Sequence, residues 1–309
     1  MKKRITRIVR NIILIICVLV FIFSASLIVK HFIDIKNNRD YYEQIQNLVP
    51  DETKKIEQQP DYSSVVKVNT DTVGWVKVPN TNIDYPVVQF SNNDYYLNHD
   101  FDKKYNYRGA IFMDYRNNPT ALDANTIIYG HNCYDKTMFS ELDQYEKIDF
   151  YKKTPVFEYN TLDKNYKWKI YAVFITNADS SEDNGYVFNY IYPYMDGENF
   201  EGFIEEVNKR RLYVTGVDIN DDDKMLVLST CVRALDKVNK YGKITYRADA
   251  RLVVLARAVR PGESEKVDVS KAYVNKNPKY PQLWYDNKNI ENPFKNDKKW
   301  YPQEVVTNE

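Results

Sequence analysis

Two apolar segments of the chain end on side chains that can take part in nucleophilic chemistry. Cys231 follows residues 225–230, and His131 follows residues 126–129 after a single glycine. A side chain placed directly after a buried strand reaches the rim of a sheet, where binding and catalytic groups collect. A thiol beside a proton-transfer group is suited to acyl transfer through a covalent intermediate. The alternative is that both are inert, because a lone cysteine or histidine is more often a packed or solvated residue.

The other cysteines and histidines offer no second site of this kind. Cys17 lies in the apolar N-terminal segment, Cys133 lies two residues after His131, and three cysteines do not make a disulfide framework. His31 borders the apolar segment, and His99 lies in a polar stretch. The sequence has neither a CxxC pair with zinc spacing nor a glycine-rich phosphate loop. We therefore expect neither a metal ion nor another cofactor.

The N-terminal segment predicts a membrane anchor. Residues 12–29 carry no charge and reach about the lower length of a helix that crosses a bilayer. The basic residues that precede this segment are Lys2, Lys3, Arg4, Arg7 and Arg10. By the positive-inside rule they stay in the cytoplasm and the rest of the chain lies outside. The alternative is a cleaved signal peptide, for which residues 24–26 supply small side chains. In both cases the following domain is extracellular.

After residue 60 the pattern changes from polar and helical to short apolar runs. Residues 30–60 have helical spacing with prolines near the end, which predicts a stalk or N-terminal helix. We expect strands at residues 74–78, 83–89, 108–114, 126–129, 156–159, 166–176, 225–230 and 251–259. Residues 198–212 have the apolar spacing of an amphipathic helix. This order of elements favours a mainly β barrel or sandwich.

The composition is charge-balanced and aromatic. Lysine plus arginine and aspartate plus glutamate each number 43, so the net charge does not favour a nucleic-acid partner. The 27 tyrosines and only 9 glycines suit strands with packed faces. The 309 residues, without the two ends, leave room for one catalytic domain.

Several segments together resemble the sortase family, and within it class B. The string LSTC at residues 228–231, the string YGHN at 129–132 and an arginine that opens the apolar run 251–256 occur in that family's order. Supporting blocks lie at residues 72–76, 82–89, 94–97, 111–117 and 137–139. The resemblance implies an eight-stranded sortase-type β-barrel with an N-terminal helix. It also implies a helical insertion before the cysteine strand, at residues 198–212, and an active site in a groove at the rim of the barrel.

The resemblance also implies a reaction. Cys231 would attack the carbonyl after the threonine of a C-terminal sorting signal and hold the acyl group as a thioester. An amine of a peptidoglycan cross-bridge, a lipid-linked precursor or a pilin would then release it. His131 would act first as general acid and then as base, and Arg251 would donate hydrogen bonds to the substrate carbonyl and oxyanion. The residues that would line the peptide groove are Val88, Ser229 and Thr230.

The position of the arginine departs from the class B pattern. The family arginine usually follows the cysteine more closely, whereas Arg251 lies 20 positions after Cys231. Arg233 and Arg247 lie in the intervening segment and are alternatives, or else solvated loop charges. We prefer Arg251 because it alone begins an apolar run.

The predicted organisation has five parts. They are a basic cytoplasmic segment (1–11), a membrane anchor (12–29), a stalk (30–60), a catalytic domain (61–260) and a C-terminal extension of unknown role (261–309). The extension is rich in asparagine, lysine, proline and aromatic residues. Tyr280, Trp284 and Trp300 could pack it on the barrel. The alternatives are disorder or docking of residues 277–280 in the groove as a pseudo-substrate.

A different class of function is also open at this point. The chain could be a membrane-tethered extracellular binding or adhesion module in which Cys231 is inert. Reactivity of the Cys231 thiol separates the two interpretations, because only an activated thiol reacts faster than an ordinary one.

Overall fold

The computed structural model describes residues 2–50 and 61–303. Contacts divide the chain into two compact units, Met1–Asn47 and Leu48–Glu309. The first unit contains one helix, α1 (Lys2–Gln46), and an 18-residue window within it has a mean hydropathy of 3.3. This helix is long and apolar enough to cross a membrane. It continues past residue 30, so the predicted anchor and the first part of the predicted stalk are one helix. Residues 51–60 of that stalk lie outside the described residues.

The second unit is built on a closed barrel of eight strands. The strands in chain order are β1 (Thr72–Lys77), β2 (Asp84–Val88), β3 (Phe112–Met113), β4 (Asn125–Tyr129), β5 (Val156–Thr161), β6 (Lys167–Asn177), β7 (Tyr213–Val214), β8 (Met225–Val232), β9 (Lys237–Val238), β10 (Ile244–Tyr246), β11 (Ala250–Ala258) and β12 (Tyr273–Val274). The barrel order is β1-β2-β3-β4-β8-β11-β6-β5, and β5 pairs with β1 to close it. The pairs β2–β3 and β4–β8 are parallel. The predicted eight-stranded barrel is confirmed.

Four shorter strands form two small sheets beside the barrel. Strand β9 pairs with β10 in a hairpin, and β7 pairs with β12 of the C-terminal extension. The helices of this unit are α2 (Ser63–Val68), α3 (Ile148–Lys153), α4 (Glu198–Arg210) and α5 (Gln282–Lys288). Sequence periodicity predicted only α4 among these helices, because the others have six or seven residues and show too few turns to reveal a period.

The central strands are buried on both faces. In β8 every residue except Cys231 is buried. Alternate side chains of a barrel strand point inward and outward, so a second layer must cover the outward face. The members of this outer aromatic layer are Tyr186, Phe188, Tyr190, Phe200 and Phe203, and the last two belong to α4. The insertion before the cysteine strand therefore completes the core.

The described part of the C-terminal extension, residues 261–303, packs on the barrel unit. Trp300 contacts the rings of Phe188 and Phe203 at centroid distances of 5.9 and 6.1 Å. The Lys279 ammonium lies 3.3 Å from the Glu206 carboxylate of α4 and also contacts Asp297. This part of the chain is ordered against α4, as the packing interpretation expects, and residues 277–280 are anchored there through Lys279.

Gly202 provides a test of this docking. A Cβ atom at Gly202 would lie 2.1 Å from Nε1 of Trp300, which is closer than any non-bonded contact. Helix propensity alone favours alanine over glycine by about 1 kcal/mol. A loss of stability in the alanine variant would therefore indicate a clash with Trp300. We expect Gly202→Ala to lower the free energy of unfolding by about 1–3 kcal/mol, measured by chemical denaturation of the detergent-solubilised chain.

The exposed neighbour Glu205 on the same helix supplies the control. The Glu205 side chain is 69% exposed in its ion pair with Lys209, so Glu205→Ala should change the unfolding free energy by less than about 0.5 kcal/mol. A stabilised Gly202→Ala variant would contradict the docked position of Trp300.

Candidate active site

Each of three barrel strands carries a series of alternate side chains on the same face of the barrel, and each series ends at one of the three predicted catalytic residues. The members of these series that pack in or against the outer aromatic layer are Met225 and Val227 on β8, Ile127 and Tyr129 on β4, and Leu255 and Val253 on β11. Side chains alternate along a strand, so the same series reach Cys231, His131 and Arg251 at the strand ends. In each series the residues covered by the outer aromatic layer are therefore apolar, and the reactive residues lie beyond the edge of that layer.

Cys231 and Arg251 face each other across two strands. They are directly opposite residues of the antiparallel pair β8–β11, and such side chains lie on the same face with Cβ atoms roughly 4.5–5.5 Å apart. The outer layer ends just before them, where the Tyr190 hydroxyl hydrogen-bonds to Oγ of Ser229 at 2.8 Å. Cys231 is exposed as a result.

The charge of Arg251 is maintained by its neighbours. Burial would lower the pKa of the Arg251 guanidinium, but the Cys231 sulfur and the hydrogen bond to the Asp249 carboxylate outweigh burial and raise it. The guanidinium therefore stays cationic beside the thiol. A guanidinium at this position is suited to donate hydrogen bonds to an oxygen that gains negative charge.

His131 is held against the end of β8 by its two neighbours in sequence. The carbonyl of Gly130 accepts a hydrogen bond from the Thr230 hydroxyl at 2.8 Å. The side-chain amide of Asn132 donates to the Cys231 carbonyl at 3.0 Å. These bonds flank both residues, so the parallel strands β4 and β8 deliver His131 and Cys231 to the same edge.

One ring nitrogen of His131 is already engaged. Its Nε2 lies 2.7 Å from the Leu97 carbonyl, and because a carbonyl only accepts, Nε2 carries a hydrogen. Proton exchange with a ligand is left to Nδ1. The loop that presents this carbonyl needs Gly109, whose φ is +59° and whose Cβ would lie 2.3 Å from the Tyr96 oxygen. This loop orients the imidazole.

The segment after His131 is a tight loop closed by a buried ion pair. The Phe139 amide donates to the His131 carbonyl at 3.0 Å, and Nε of Arg108 donates to Asp135 at 2.6 Å with both side chains buried. Burial would raise the pKa of Asp135, but hydrogen bonds from Thr137 and Arg108 lower it overall. Both charges are thus retained, and removal of either partner would leave an unpaired buried charge beside the loop that follows the histidine.

The three residues expected to line a peptide groove are placed differently. Val88, Ser229 and Thr230 are 0%, 1% and 2% exposed. The Ser229 hydroxyl bonds to Tyr190 and the Thr230 hydroxyl donates to Gly130. Both hydroxyls are therefore used inside the protein, and the structure does not bring these side chains to the open surface beside Cys231. The Thr230 hydroxyl instead joins the end of β8 to the residue before His131, and the Ser229 hydroxyl joins β8 to Tyr190.

The alternative arginines lie outside the paired residues of β8 and β11. Arg247 is exposed in the segment between β10 and β11. Arg233 is exposed and lies 3.7 Å from the Asp236 carboxylate. The hairpin β9–β10 occupies the middle of this segment, so it lengthens the connection without changing the register that sets Arg251 opposite Cys231.

The thiols of Cys231 and Cys133 differ in environment. Cys133 is half-buried, and burial raises the pKa of its thiol to about 11. At pH 8 only roughly 0.1% of Cys133 is then thiolate. We expect iodoacetamide at pH 8 to modify the exposed Cys231 at least about tenfold faster than Cys133, measured by peptide mass spectrometry of the full chain.

The pH dependence provides the control for this prediction. Between pH 8 and 10 the thiolate fraction of Cys133 rises with pH, so its modification rate should rise about tenfold per unit. Equal rates for the two thiols at pH 8 would contradict an activated Cys231 and favour the inert-thiol interpretation.

Sequence reasoning missed three residues that support the site. Asn132 anchors the Cys231 carbonyl, Asp249 pairs with Arg251, and Tyr190 covers Ser229. Asn132 and Asp249 are within two positions of predicted catalytic residues, which is a usable signal. Tyr190 lies in an irregular segment before α4 and shows no local signal, since only tertiary packing brings it to β8.

A separate cleft lies at the other end of the same strands. It has a volume of about 850 Å³, and its lining includes Lys224, which precedes β8, and Ala258, which ends β11. None of the residues at the Cys231 rim lines it. The reactive groups are thus gathered at the opposite end of β8.

Comparisons with known proteins agree with this geometry. A sortase domain model matches residues 76–259. The chain is 31% identical to sortase B of Staphylococcus aureus over 253 residues, which is 81% of this chain and 96% of that protein.

Solved structures give the same family. A Staphylococcus aureus sortase B–substrate complex has a TM-score of 0.61 at 30% identity and covers 73% of this chain and 97% of its own. A sortase B complexed with triglycine has a TM-score of 0.60 at 30% identity and covers 73% of this chain and 98% of its own. The residues matched by the family model, 76–259, include Cys231, His131 and Arg251. The chain therefore belongs to the sortase family and is a class B sortase, a cysteine transpeptidase.

Proposed function

We propose that this sortase cleaves the C-terminal sorting signal of a secreted protein after its threonine and transfers the acyl group to an amine. The acceptor would be a peptidoglycan cross-bridge, a lipid-linked precursor or a pilin. The observation that carries the proposal is the convergence of Cys231, Arg251 and His131 on one edge of the barrel. Two similar structures hold a substrate and triglycine, and the free amino end of triglycine has the chemistry of an acceptor amine.

In the first half-reaction the Cys231 thiolate attacks the threonine carbonyl. Arg251 donates hydrogen bonds to the oxygen as negative charge develops on it, which is the main electrostatic stabilisation available at this edge. The carbon–sulfur bond forms, the peptide carbon–nitrogen bond breaks, and the leaving amine takes a proton from His131. The tail of the sorting signal departs and a thioester remains on Cys231.

In the second half-reaction the acceptor amine attacks the thioester. His131, now neutral, accepts a proton from the incoming nitrogen. The carbon–sulfur bond breaks and returns the thiolate to Cys231. Arg251 holds its charge throughout, so it stabilises both oxyanions and does not exchange protons.

The N-terminal helix supports the cellular setting of this reaction. We propose that residues 12–29 anchor the enzyme in the cell membrane with residues 1–11 in the cytoplasm, following the basic cluster before the apolar run. Residues 61–260 would then act outside the cell, where exported substrates and wall precursors meet. In this arrangement residues 30–60 connect anchor and catalytic domain.

Peptide turnover tests the proposal. The full chain is incubated with a panel of sorting-signal peptides that differ around the threonine, with and without triglycine as acceptor amine. We expect cleavage after threonine in both conditions and a peptide–triglycine product only when the amine is present, identified by mass. Cleavage at another bond, or no cleavage of any peptide while Cys231 remains reactive to iodoacetamide, would contradict the proposed substrate class.

A further inference from the structure

The segment between Cys231 and Arg251 is held from outside the barrel at both ends. This insertion comprises residues 232–250, and its hairpin β9–β10 is exposed. Strand pairing sets the backbone of Arg251, since β11 bonds to β8 and β6 at that residue. Strand pairing sets the face on which the Arg251 side chain lies, but it does not set the position of the guanidinium at the end of that side chain. The contacts that do so lie in the last residues of the insertion.

The Arg251 guanidinium contacts the Asp249 carboxylate and also donates to the Ala250 carbonyl at 3.2 Å. The Asp249 carboxylate accepts a hydrogen bond from Nη1 of Arg251. The backbone of Asp249 is bound on both sides: its carbonyl accepts from the Ala178 amide at 2.7 Å, and its amide donates to Oε1 of Glu182 at 2.7 Å. The position of this carboxylate therefore depends on Glu182.

Glu182 is a buried acceptor that serves the insertion. Glu182 is 3% exposed, and its Oε1 also accepts a hydrogen bond from the Tyr246 hydroxyl at 3.1 Å. Within the described residues Oε2 has no hydrogen-bond partner. Burial of a carboxyl group is unfavourable unless hydrogen bonds compensate for its lost hydration. Its two bonds both go to the segment that leads into Arg251.

The C-terminal extension contacts the insertion near its first end and contacts the neighbour of Glu182, which binds the last residues of the insertion. The amide of Gln282, at the start of α5, donates to Oδ1 of Asp183 at 2.8 Å, next to Glu182. From the same helix the Asn287 side chain donates to the Leu235 carbonyl at 2.8 Å. The family match ends at residue 259, so the extension is an addition to the sortase domain that braces its active-site connection.

We propose that Asp249 and Glu182 are positioning residues for the Arg251 guanidinium, and that the C-terminal extension holds them in place through α5. The inference rests on the proposed role of Arg251 in stabilising the oxyanion. In this arrangement Glu182 fixes Asp249, Asp249 aims the guanidinium, and Asn287 restrains the other end of the insertion. Loss of any of these contacts would displace the Arg251 guanidinium from the position in which it stabilises the oxyanion.

Single-turnover formation of the thioacyl enzyme measures this effect, with the most reactive peptide of the sorting-signal panel. Glu182→Ala leaves the Asp249 amide without its acceptor, and we expect acylation to slow by on the order of tenfold. Glu182→Gln keeps an oxygen at Oε1, so its rate should stay within about threefold of the unmodified chain. This conservative pair separates loss of the acceptor from loss of charge.

Two further variants do not depend on the stability of a buried carboxyl. Asp249→Asn, at a largely exposed side chain, should slow acylation by about threefold to tenfold. Asn287→Ala should slow it by about threefold, whereas Asn277→Ala, an exposed asparagine of the extension, is the matched control and should not. If Glu182→Ala does not fold, the Asp249 and Asn287 variants decide the proposal.

A double-mutant cycle with Arg251→Ala distinguishes positioning from general destabilisation. Residues that act through Arg251 should have no further effect once the guanidinium is absent. If Glu182→Ala or Asp249→Asn costs the same factor in the Arg251→Ala background, or costs nothing in the unmodified chain, the positioning role is wrong while the proposed function stands. If Arg251→Ala itself acylates normally, the proposed role of Arg251 is wrong and this inference falls with it.

Discussion

Replacement of Cys231 by alanine is expected to abolish formation of the thioacyl enzyme and to lower peptide turnover by at least about 10⁴-fold, because the variant lacks the sulfur that forms the covalent intermediate. The change should leave folding intact. Cys231 is exposed, and surface substitutions of this kind alter the free energy of unfolding by about 0.5 kcal/mol or less. Intact-protein mass spectrometry after mixing with a reactive peptide measures the adduct directly.

Cys133→Ala is the matched control for this prediction. The Cys133 thiol is half-buried and its raised pKa keeps it protonated at neutral pH, so its removal should leave turnover within about threefold of the unmodified chain. Wild-type turnover or an acyl adduct in Cys231→Ala would overturn the assignment of the nucleophile.

Arg251→Ala is expected to slow acylation by about 10²–10³-fold, the usual effect of removing one oxyanion donor. Arg251→Lys should recover only part of this loss, because lysine keeps the charge but lacks the planar fork of donors. The affinity for the peptide should change less than the rate, since the oxyanion forms only in the transition state. Single-turnover kinetics over a range of peptide concentrations separate the two quantities.

Arg247→Ala is the control for this prediction, because the sequence offers Arg247 as an alternative to Arg251. Arg247 is exposed outside the paired strands, so its loss should change the acylation rate by less than about twofold. A slow Arg247→Ala variant together with a normal Arg251→Ala variant would reverse the assignment and show that the insertion folds back over the site.

The architecture explains why the reactive groups lie where they do. Strands β4 and β8 are parallel neighbours, so both end at the same edge, and β11 begins at that edge because it runs antiparallel to β8. The outer aromatic layer covers the same face further along these strands. It ends at Tyr190, and the next position on β8 that faces this side is Cys231. The edge of the outer aromatic layer is therefore also the boundary between the buried core and the candidate active site.

Strands with regular apolar patterns were predicted well. The strand expected at residues 225–230 is β8 (Met225–Val232), and the one expected at 251–259 is β11 (Ala250–Ala258). The strand expected at residues 108–114 shrinks to β3 (Phe112–Met113). It begins late because Gly109 adopts a positive φ in a turn, which an apolar run does not reveal.

The sequence by itself determined that the N-terminal segment is long and apolar enough to span a membrane, which strands lead to Cys231 and His131, and the family to which these motifs belong. Those features follow from local patterns of apolar and reactive residues. Only the tertiary structure decided that Arg251 faces Cys231, that Ser229 and Thr230 are buried, and that the C-terminal extension contacts the insertion at Leu235. Each of these depends on strand register or on contacts between distant segments, because pairing partners are chosen by packing across the whole barrel and not by neighbours in sequence.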